Sequence, residues 1–236
     1  MSAGERLQPA TAKEQLVVVF HGLGPVPDRV GPDERQYWCD ADRFGTVLDQ
    51  IATVSRATDV PITITFDDGN MTDALIGLPA LVERGLVATF FVCAGRIGQE
   101  DYLDAPAIRE LTEAGMSIGS HGWSHVDWRS TDDPTLDLEI DRARETIAET
   151  IDRPVDEVAI PFGSYDRRVL KKLSSSGWRT VFTSDRGRAP INGWMIPRET
   201  YDVTWGDGKL ELLATRRLPV TERIRGAAVR TAKRLR

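Results

Sequence analysis

The spacing of apolar residues predicts an α/β fold: a mainly parallel sheet covered by helices, open or closed into a barrel. Two observations carry this. Short β-favouring runs recur six times along the chain, and the stretches between them repeat their apolar residues at helical spacing. The runs are almost continuously apolar, as strands buried on both faces must be, and such strands belong to parallel sheets. With 236 residues, 41% hydrophobic and 28% charged, the chain has the size of one domain around one core.

In order, the runs are LVVVF (16–20), PITITF (61–66), ATFFVC (88–93), SIGS (117–120), EVAIPF (157–162) and TVFTS (180–184). Phe44, Val47, Leu48 and Ile51 mark one intervening helix, with Asp40 or Asp42 placed to cap it. Leu136, Leu138, Ile140, Ala143 and Ile147 mark another, and Gly115 and Gly177 stand where helices should stop. In parallel α/β folds, function gathers at the carboxyl ends of the strands. Those ends hold His21, Asp67 and Asp68, His121, Pro161 to Gly163, and Asp185.

No stretch approaches the roughly eighteen consecutive apolar residues of a membrane-spanning helix. The opening MSAGERLQPATAKEQ has no apolar run with a small-residue cleavage site, so residues 1–15 are expected to be a flexible tail and the protein cytoplasmic. Cys39 and Cys93 are expected as reduced thiols, Cys93 buried in its apolar run. Residues 214–236 hold eight of the 30 Lys/Arg and one of the 36 acidic residues, so a body of net charge −13 carries a tail of +7. An acidic body argues against a nucleic-acid partner. The tail repeats Leu218, Ile224, Ala228, Thr231 and Leu235 at near-helical spacing. It is read as a basic C-terminal helix that docks on the body or, alternatively, meets an anionic inner membrane surface.

All three histidines fall at predicted strand ends, two of them in HGWSH (121–125). On a helical turn, residues four apart lie about 5 to 6 Å from one another at Cβ, where the imidazoles of His121 and His125 converge on one ion. That spacing alone is a weak signal. Asp67 and Asp68 strengthen it, because two imidazoles and one carboxylate make a three-ligand site with an open position, suited to zinc and similar divalent ions. One aspartate then serves as ligand and the other stands free as a general base for water. The alternative is that DDGN is an ordinary turn.

TFDDG (65–69), HGWSH (121–125) and PFGSYD (161–166) follow one another along the chain. With these motifs the sequence resembles the polysaccharide deacetylases with a NodB homology domain, a carbohydrate esterase family, over roughly residues 16–200. The resemblance implies a distorted, incomplete (β/α) barrel, here spanning 16–213. It implies that Asp67 is the general base, that Asp68, His121 and His125 hold a divalent metal ion, expected to be zinc, and that the Phe162 backbone N–H faces the developing oxyanion. Pro161 and Gly163 beside it are candidates for substrate contact. The implied reaction is hydrolysis of an N-acetyl group on an amino sugar, in a polysaccharide or a lipid- or nucleotide-linked precursor. Hydrolysis of another amide, or carbohydrate binding without catalysis, are the alternatives.

Two supporting roles of the family have no matching residue. Its third motif usually begins with an arginine that orients the base, where this chain has Ala159. The family's late acid histidine is also missing, since no histidine follows His125. His21 ends VVVFH, which resembles the start of exopolysaccharide deacetylases, and is a candidate acid or substrate contact; otherwise it bonds its own loop. Arg198 in MIPRET is a candidate for the missing positive charge, with a surface ion pair as the alternative. Asp185 in TSDRG loosely matches the fourth motif and would pair with Arg186 or Arg198, or simply shape a turn. Trp123, Trp128 and Trp194 are candidates for stacking on sugar rings, Trp123 foremost, with packing as the alternative.

Overall fold

The computed structural model describes residues 14–215. The expected N-terminal tail, up to residue 13, and the expected basic helix, from 216 onward, lie outside the described residues. The strands are β1 (Glu14–Phe20), β2 (Gly22–Leu23), β3 (Trp38–Cys39), β4 (Ile62–Phe66), β5 (Ala88–Val92), β6 (Ser117–Ser120), β7 (Glu157–Ala159), β8 (Thr180–Thr183), β9 (Ala189–Pro190), β10 (Met195–Pro197) and β11 (Glu199–Thr200). The helices are α1 (Ala41–Thr58), α2 (Leu78–Glu83), α3 (Ala105–Glu113), α4 (Asp133–Asp137), α5 (Ala143–Ile151), α6 (Arg167–Ser175) and α7 (Lys209–Thr215). A π turn, Asp73–Gly77, precedes α2, and a second, Leu138–Arg142, joins α4 to α5. All six apolar runs contain strands: 117–120 matches β6 throughout, four others differ at their ends by a residue or two, and 157–162 is a strand only as far as Ala159, with Pro161–Gly163 forming a 3-10 turn.

The sheet runs β10-β8-β7-β6-β5-β4-β1-β11, every neighbouring pair parallel, with β9 antiparallel on β1. Its two outermost strands, β10 and β11, are separated in sequence only by Arg198. One extended segment therefore pairs with β8 through its first half (Met195 beside Val181) and with β1 through its second (Glu199 beside Val18). The sheet thereby wraps into a nearly closed, distorted (β/α) barrel, as expected.

Successive strand side chains point to opposite faces, and the barrel uses both. Leu16, Val18, Phe20, Ile64, Phe66, Phe90 and Val92 face the helices and join the main core. There Phe66 stacks on Phe90 with ring centroids 4.6 Å apart, each buried ring contributing about 1.5 to 3 kcal/mol. The alternate residues Val17, Phe91, Ala159, Phe182 and Ile196 form a smaller apolar plug inside the barrel. Residue 119 must be glycine for that plug to fit, since a Cβ there would stand 2.4 Å from the Phe91 ring.

Among the helices, α1 is capped by Asp40, whose carboxylate accepts from the Asp42 and Arg43 amides, a contribution of about 1 kcal/mol. Its Phe44, Val47, Leu48 and Ile51 are the buried face. Gly115 and Gly177, both at positive φ, follow the ends of α3 and α6. Cys39 and Cys93 are free thiols in the core. No helix among the described residues is long and apolar enough to cross a membrane.

Candidate active site

The carboxyl ends of β4, β6, β7 and the Arg198 segment meet above the apolar plug. Alternation along β4 sends Thr65 and Asp67 into the interior and would send Asp68 the other way. At Asp68 the backbone turns to φ 77° and at Gly69 to φ 70°, which ends the alternation and keeps both carboxylates on one side. Aspartate is among the few side chains that enter this left-handed region readily. Up to that point strand pairing holds, the Asp67 amide donating to Phe20 O at 2.9 Å.

The Asp67 carboxylate, 3% exposed, is gripped by Arg198, whose Nη1 donates to Oδ1 at 2.7 Å and Nη2 to Oδ2 at 2.6 Å. Nη1 also donates to Thr65 Oγ1 at 3.2 Å. The guanidinium lies over the rings of Phe91 and Phe182, 5.3 and 5.8 Å from their centroids. The alternative of a surface ion pair for Arg198 is therefore wrong: the residue is fully buried, because the closing segment turns this side chain inward opposite β4. Burial alone would raise the Asp67 carboxyl, but the charge and hydrogen bonds of Arg198, with His121, hold it well below the usual carboxylate range.

His121 and His125 do not share a helical turn, as their spacing predicted. Residues 121–125 form an irregular loop after β6, with Gly122 at φ 83° and His125 at φ 58°, yet the two rings still converge, 5.0 Å apart at their centroids. His121 Nδ1 lies 2.8 Å from Ala159 O; a carbonyl only accepts, so Nδ1 donates there and Nε2 is the nitrogen left to face the carboxylates. That Nε2 faces Asp67 Oδ2 at 3.7 Å and Asp68 Oδ1 at 3.9 Å. His125 Nε2 lies 3.3 Å from Asp68 Oδ1, and its ring packs on Phe162 at 4.5 Å. Burial lowers His125 to about 4 against the opposing pull of Asp68, so the imidazole is neutral near pH 7. Burial works to raise Asp68, but His125, His21, His121 and Arg96 together keep it below its ordinary value.

One ligand atom each from Asp68, His121 and His125 lies within 4.8 Å of the others. Asp68 Oδ1 is buried without a hydrogen-bond partner among the described residues. Two imidazole nitrogens and a buried carboxylate oxygen without a hydrogen-bond partner among the described residues are the donor set of a zinc-type ion with one position left open, so the residues fit such an ion.

A cavity of about 570 Å³ opens over this cluster, walled by His21, Tyr37, Arg96, Tyr102, Phe162 and Arg186 among others. His21 stacks near Tyr37, its Nδ1 is buried without a partner among the described residues, and its carbonyl accepts from Asn70 Nδ2. Phe162 sits at φ 57° with its ring 60% exposed, while Pro161 and Gly163 on either side are buried and do not line the cavity. Trp123 does not line it either. Its indole abuts Gly95 and packs on the main core, Trp128 is fully buried, and Trp194 donates to Trp178 O. All three are held by packing. Asp185 accepts from Tyr165 Oη at 2.6 Å and Thr183 Oγ1 at 3.2 Å, whereas the fork of Arg198, one of its expected partners, is taken by Asp67.

Two neighbours escaped the sequence reading. Arg96 Nη1 stands 3.5 Å from Asp68 Oδ1 and stacks on Tyr102, and buried Glu139 accepts from the loop that carries the histidines. Arginine after a strand, or glutamate within an amphipathic helix, is too common to single out.

Residues 55–181 match the family model described as Polysaccharide deacetylase. The chain is 33% identical to a chitin deacetylase of Arthroderma benhamiae over 167 residues, 67% of this chain and 42% of that protein. It is 26% identical to a chitin deacetylase of a Pestalotiopsis species over 134 residues, 56% of this chain and 44% of the other. The chain spans less than half the length of the curated relatives it matches. Among solved structures, the Streptococcus pyogenes deacetylase PplD, determined in complex with acetate, aligns with a TM-score of 0.73 at 18% identity, covering 86% of this chain and 99% of that one. At that identity the likeness shows a shared fold.

Proposed function

The chain belongs to the polysaccharide deacetylase family, and from that membership we propose that it is a metal-dependent hydrolase that removes the N-acetyl group from an amino sugar in a polysaccharide, a glycolipid or a linked precursor. One observation carries the metal-dependent part. A carboxylate clamped by arginine, Asp67, stands beside a separate three-donor cluster, Asp68, His121 and His125.

Asp68, His121 and His125 would hold the ion. A zinc-type cation, when bound, supplies Lewis acidity that acidifies water and polarises the acetyl carbonyl. Asp67 accepts the proton of the attacking water at Oδ2, the oxygen facing His121. Arg198 keeps that carboxylate ionised and fixed in angle at the expense of basicity, so placement rather than intrinsic proton affinity makes it effective. The Phe162 N–H donates to the oxyanion, an interaction whose loss typically costs about 3 to 4 kcal/mol of barrier. His21, walling the same cavity, donates a proton to the departing amine.

Acetate release from N-acetylglucosamine oligomers and from lipid- and nucleotide-linked N-acetyl sugars, measured after Zn²⁺ reconstitution and alongside Asp67→Asn, tests this reading. Stoichiometric metal, and hydrolysis lost in the variant, are expected. Protein without stoichiometric metal, or hydrolysis unchanged in Asp67→Asn, would overturn it, and release of formate in place of acetate from matched amides would move the acyl group.

A further inference from the structure

The loop between the two histidines has no regular structure, so no ladder of its own hydrogen bonds decides where His125 falls. Its polar groups are satisfied from two sides. On one side, the carbonyls of Gly122 and Trp123 accept from the amides of Ala94 and Gly95, just beyond β5, at 2.9 and 3.0 Å. On the other stands Glu139, 1% exposed, on the π turn between α4 and α5. Its Oε2 accepts from the Trp123 amide at 2.8 Å and from Trp128 Nε1 at 3.2 Å, and its Oε1 accepts from the Ser124 amide at 2.9 Å. The fit is close, since a Cβ at residue 122 would lie 2.5 Å from Oε2. That leaves room only for glycine there, which also suits φ 83°.

We propose that Glu139 is a positioning residue for the metal ligands, a buried carboxylate template on which the loop folds so that His125 closes on Asp68 and His121. The inference rests on the reading of Asp68, His121 and His125 as ligands. All three groups that Glu139 meets are N–H donors, which a carboxylate serves with both oxygens and an amide with only one. Glu139→Gln keeps the shape but turns an NH₂ against at least one donor, and the loop must shift to relieve it.

The test is calorimetric titration of the metal-free, full-length protein with Zn²⁺, with the visible spectrum of the Co²⁺ form as a geometric readout. Glu139→Gln is expected to weaken Zn²⁺ binding by roughly 10- to 100-fold at unchanged stoichiometry, as the loss of a group that orients metal ligands does elsewhere, and to shift the Co²⁺ bands. Trp128→Phe removes one donor to Glu139 while leaving the loop backbone alone, so a smaller, several-fold loss is expected; it also serves if Glu139→Gln does not fold. Ile140→Ala, next along the same turn and fully buried, is the control. It should lower the melting temperature in chelator and leave the Zn²⁺ affinity at the wild-type value. Wild-type affinity and spectra in both Glu139→Gln and Trp128→Phe overturn the positioning role while the metal site stands. A wild-type protein that takes up no Zn²⁺ overturns the metal reading itself, and this inference with it.

Discussion

Arg198 and Asp67 lie 131 residues apart in sequence and meet inside the barrel in a two-pronged ion pair of 2.7 and 2.6 Å. Neither side chain is more than 4% exposed. The pair is thus an internal one, in which each charge is tolerable only because the other is there. Removing one partner of such a pair typically costs about 3 to 5 kcal/mol, chiefly through the charge left behind. Arg198→Met should therefore destabilise strongly, and adding Asp67→Asn should recover part of that loss. Urea denaturation of the four proteins of the cycle measures it, with a coupling of about 2 kcal/mol or more expected; a coupling near zero would show that the two side chains stabilise the fold independently.

The adjacent aspartates are expected to separate cleanly in function. Asp67→Asn should lower kcat by roughly 10²- to 10⁴-fold, the range for a lost general base, and leave Zn²⁺ affinity within about threefold because Asp67 is no ligand in this reading. Asp68→Asn should abolish tight Zn²⁺ binding. Calorimetry alongside acetate release separates the two, and a large affinity loss in Asp67→Asn would move that residue into the ligand set.

Acid should weaken the metal-free fold through His125. Its folded value is about 4 and its ordinary value 6.5, so as pH falls the unfolded chain takes up this proton first. The stability contributed by the neutral ring is complete above 6.5 and is lost as pH drops toward 4. At about 1.4 kcal/mol per unit, on the order of 3 kcal/mol is at stake. Urea midpoints in chelator across this window should fall less steeply in His125→Gln than in wild type; parallel curves would contradict the assignment.

Zinc should stabilise the native state by mass action. At about a hundredfold excess over Kd the gain is roughly 2.7 kcal/mol, a rise in melting temperature of about 5 to 10 °C for a chain of this size. Chelator should reverse it. A melting temperature indifferent to Zn²⁺ and chelator alike would speak against any structural cation at Asp68, His121 and His125.

His21→Gln should reduce kcat by about 10²-fold or more with little change in KM, if the ring serves the departing amine rather than substrate binding. A rise in KM at constant kcat would reassign it as a contact.

What could be read in advance follows from the range of the forces involved. Strands were legible because burial on both faces writes a continuous apolar run into neighbouring residues, and the Asp40 cap because its donors lie two and three residues away. The convergence of His121 and His125 was foreseen for the wrong reason. Helical spacing suggested it, whereas a loop with two left-handed residues achieves it, supported by Glu139 from a different element. The burial of Arg198 was invisible from sequence, because an arginine's fate depends on which strand closes the barrel. Trp123 shows the converse error: a position inside a functional motif did not place its indole in the cavity, since packing against Gly95 took it elsewhere.

The segment that joins β10 to β11 has a consequence in time as well as in space. Asp67 directly follows β4, the second long strand in chain order, but its counter-charge arrives with residue 198, near the end of the described residues. Until residue 198 is in place, the Asp67 carboxylate has no arginine to pair with inside the barrel. Seating the last segment therefore closes the sheet and pairs the Asp67 carboxylate in one event. Closure of the fold and completion of the buried ion pair are thus the same structural step, so the setting of Asp67 depends on a segment far along the chain.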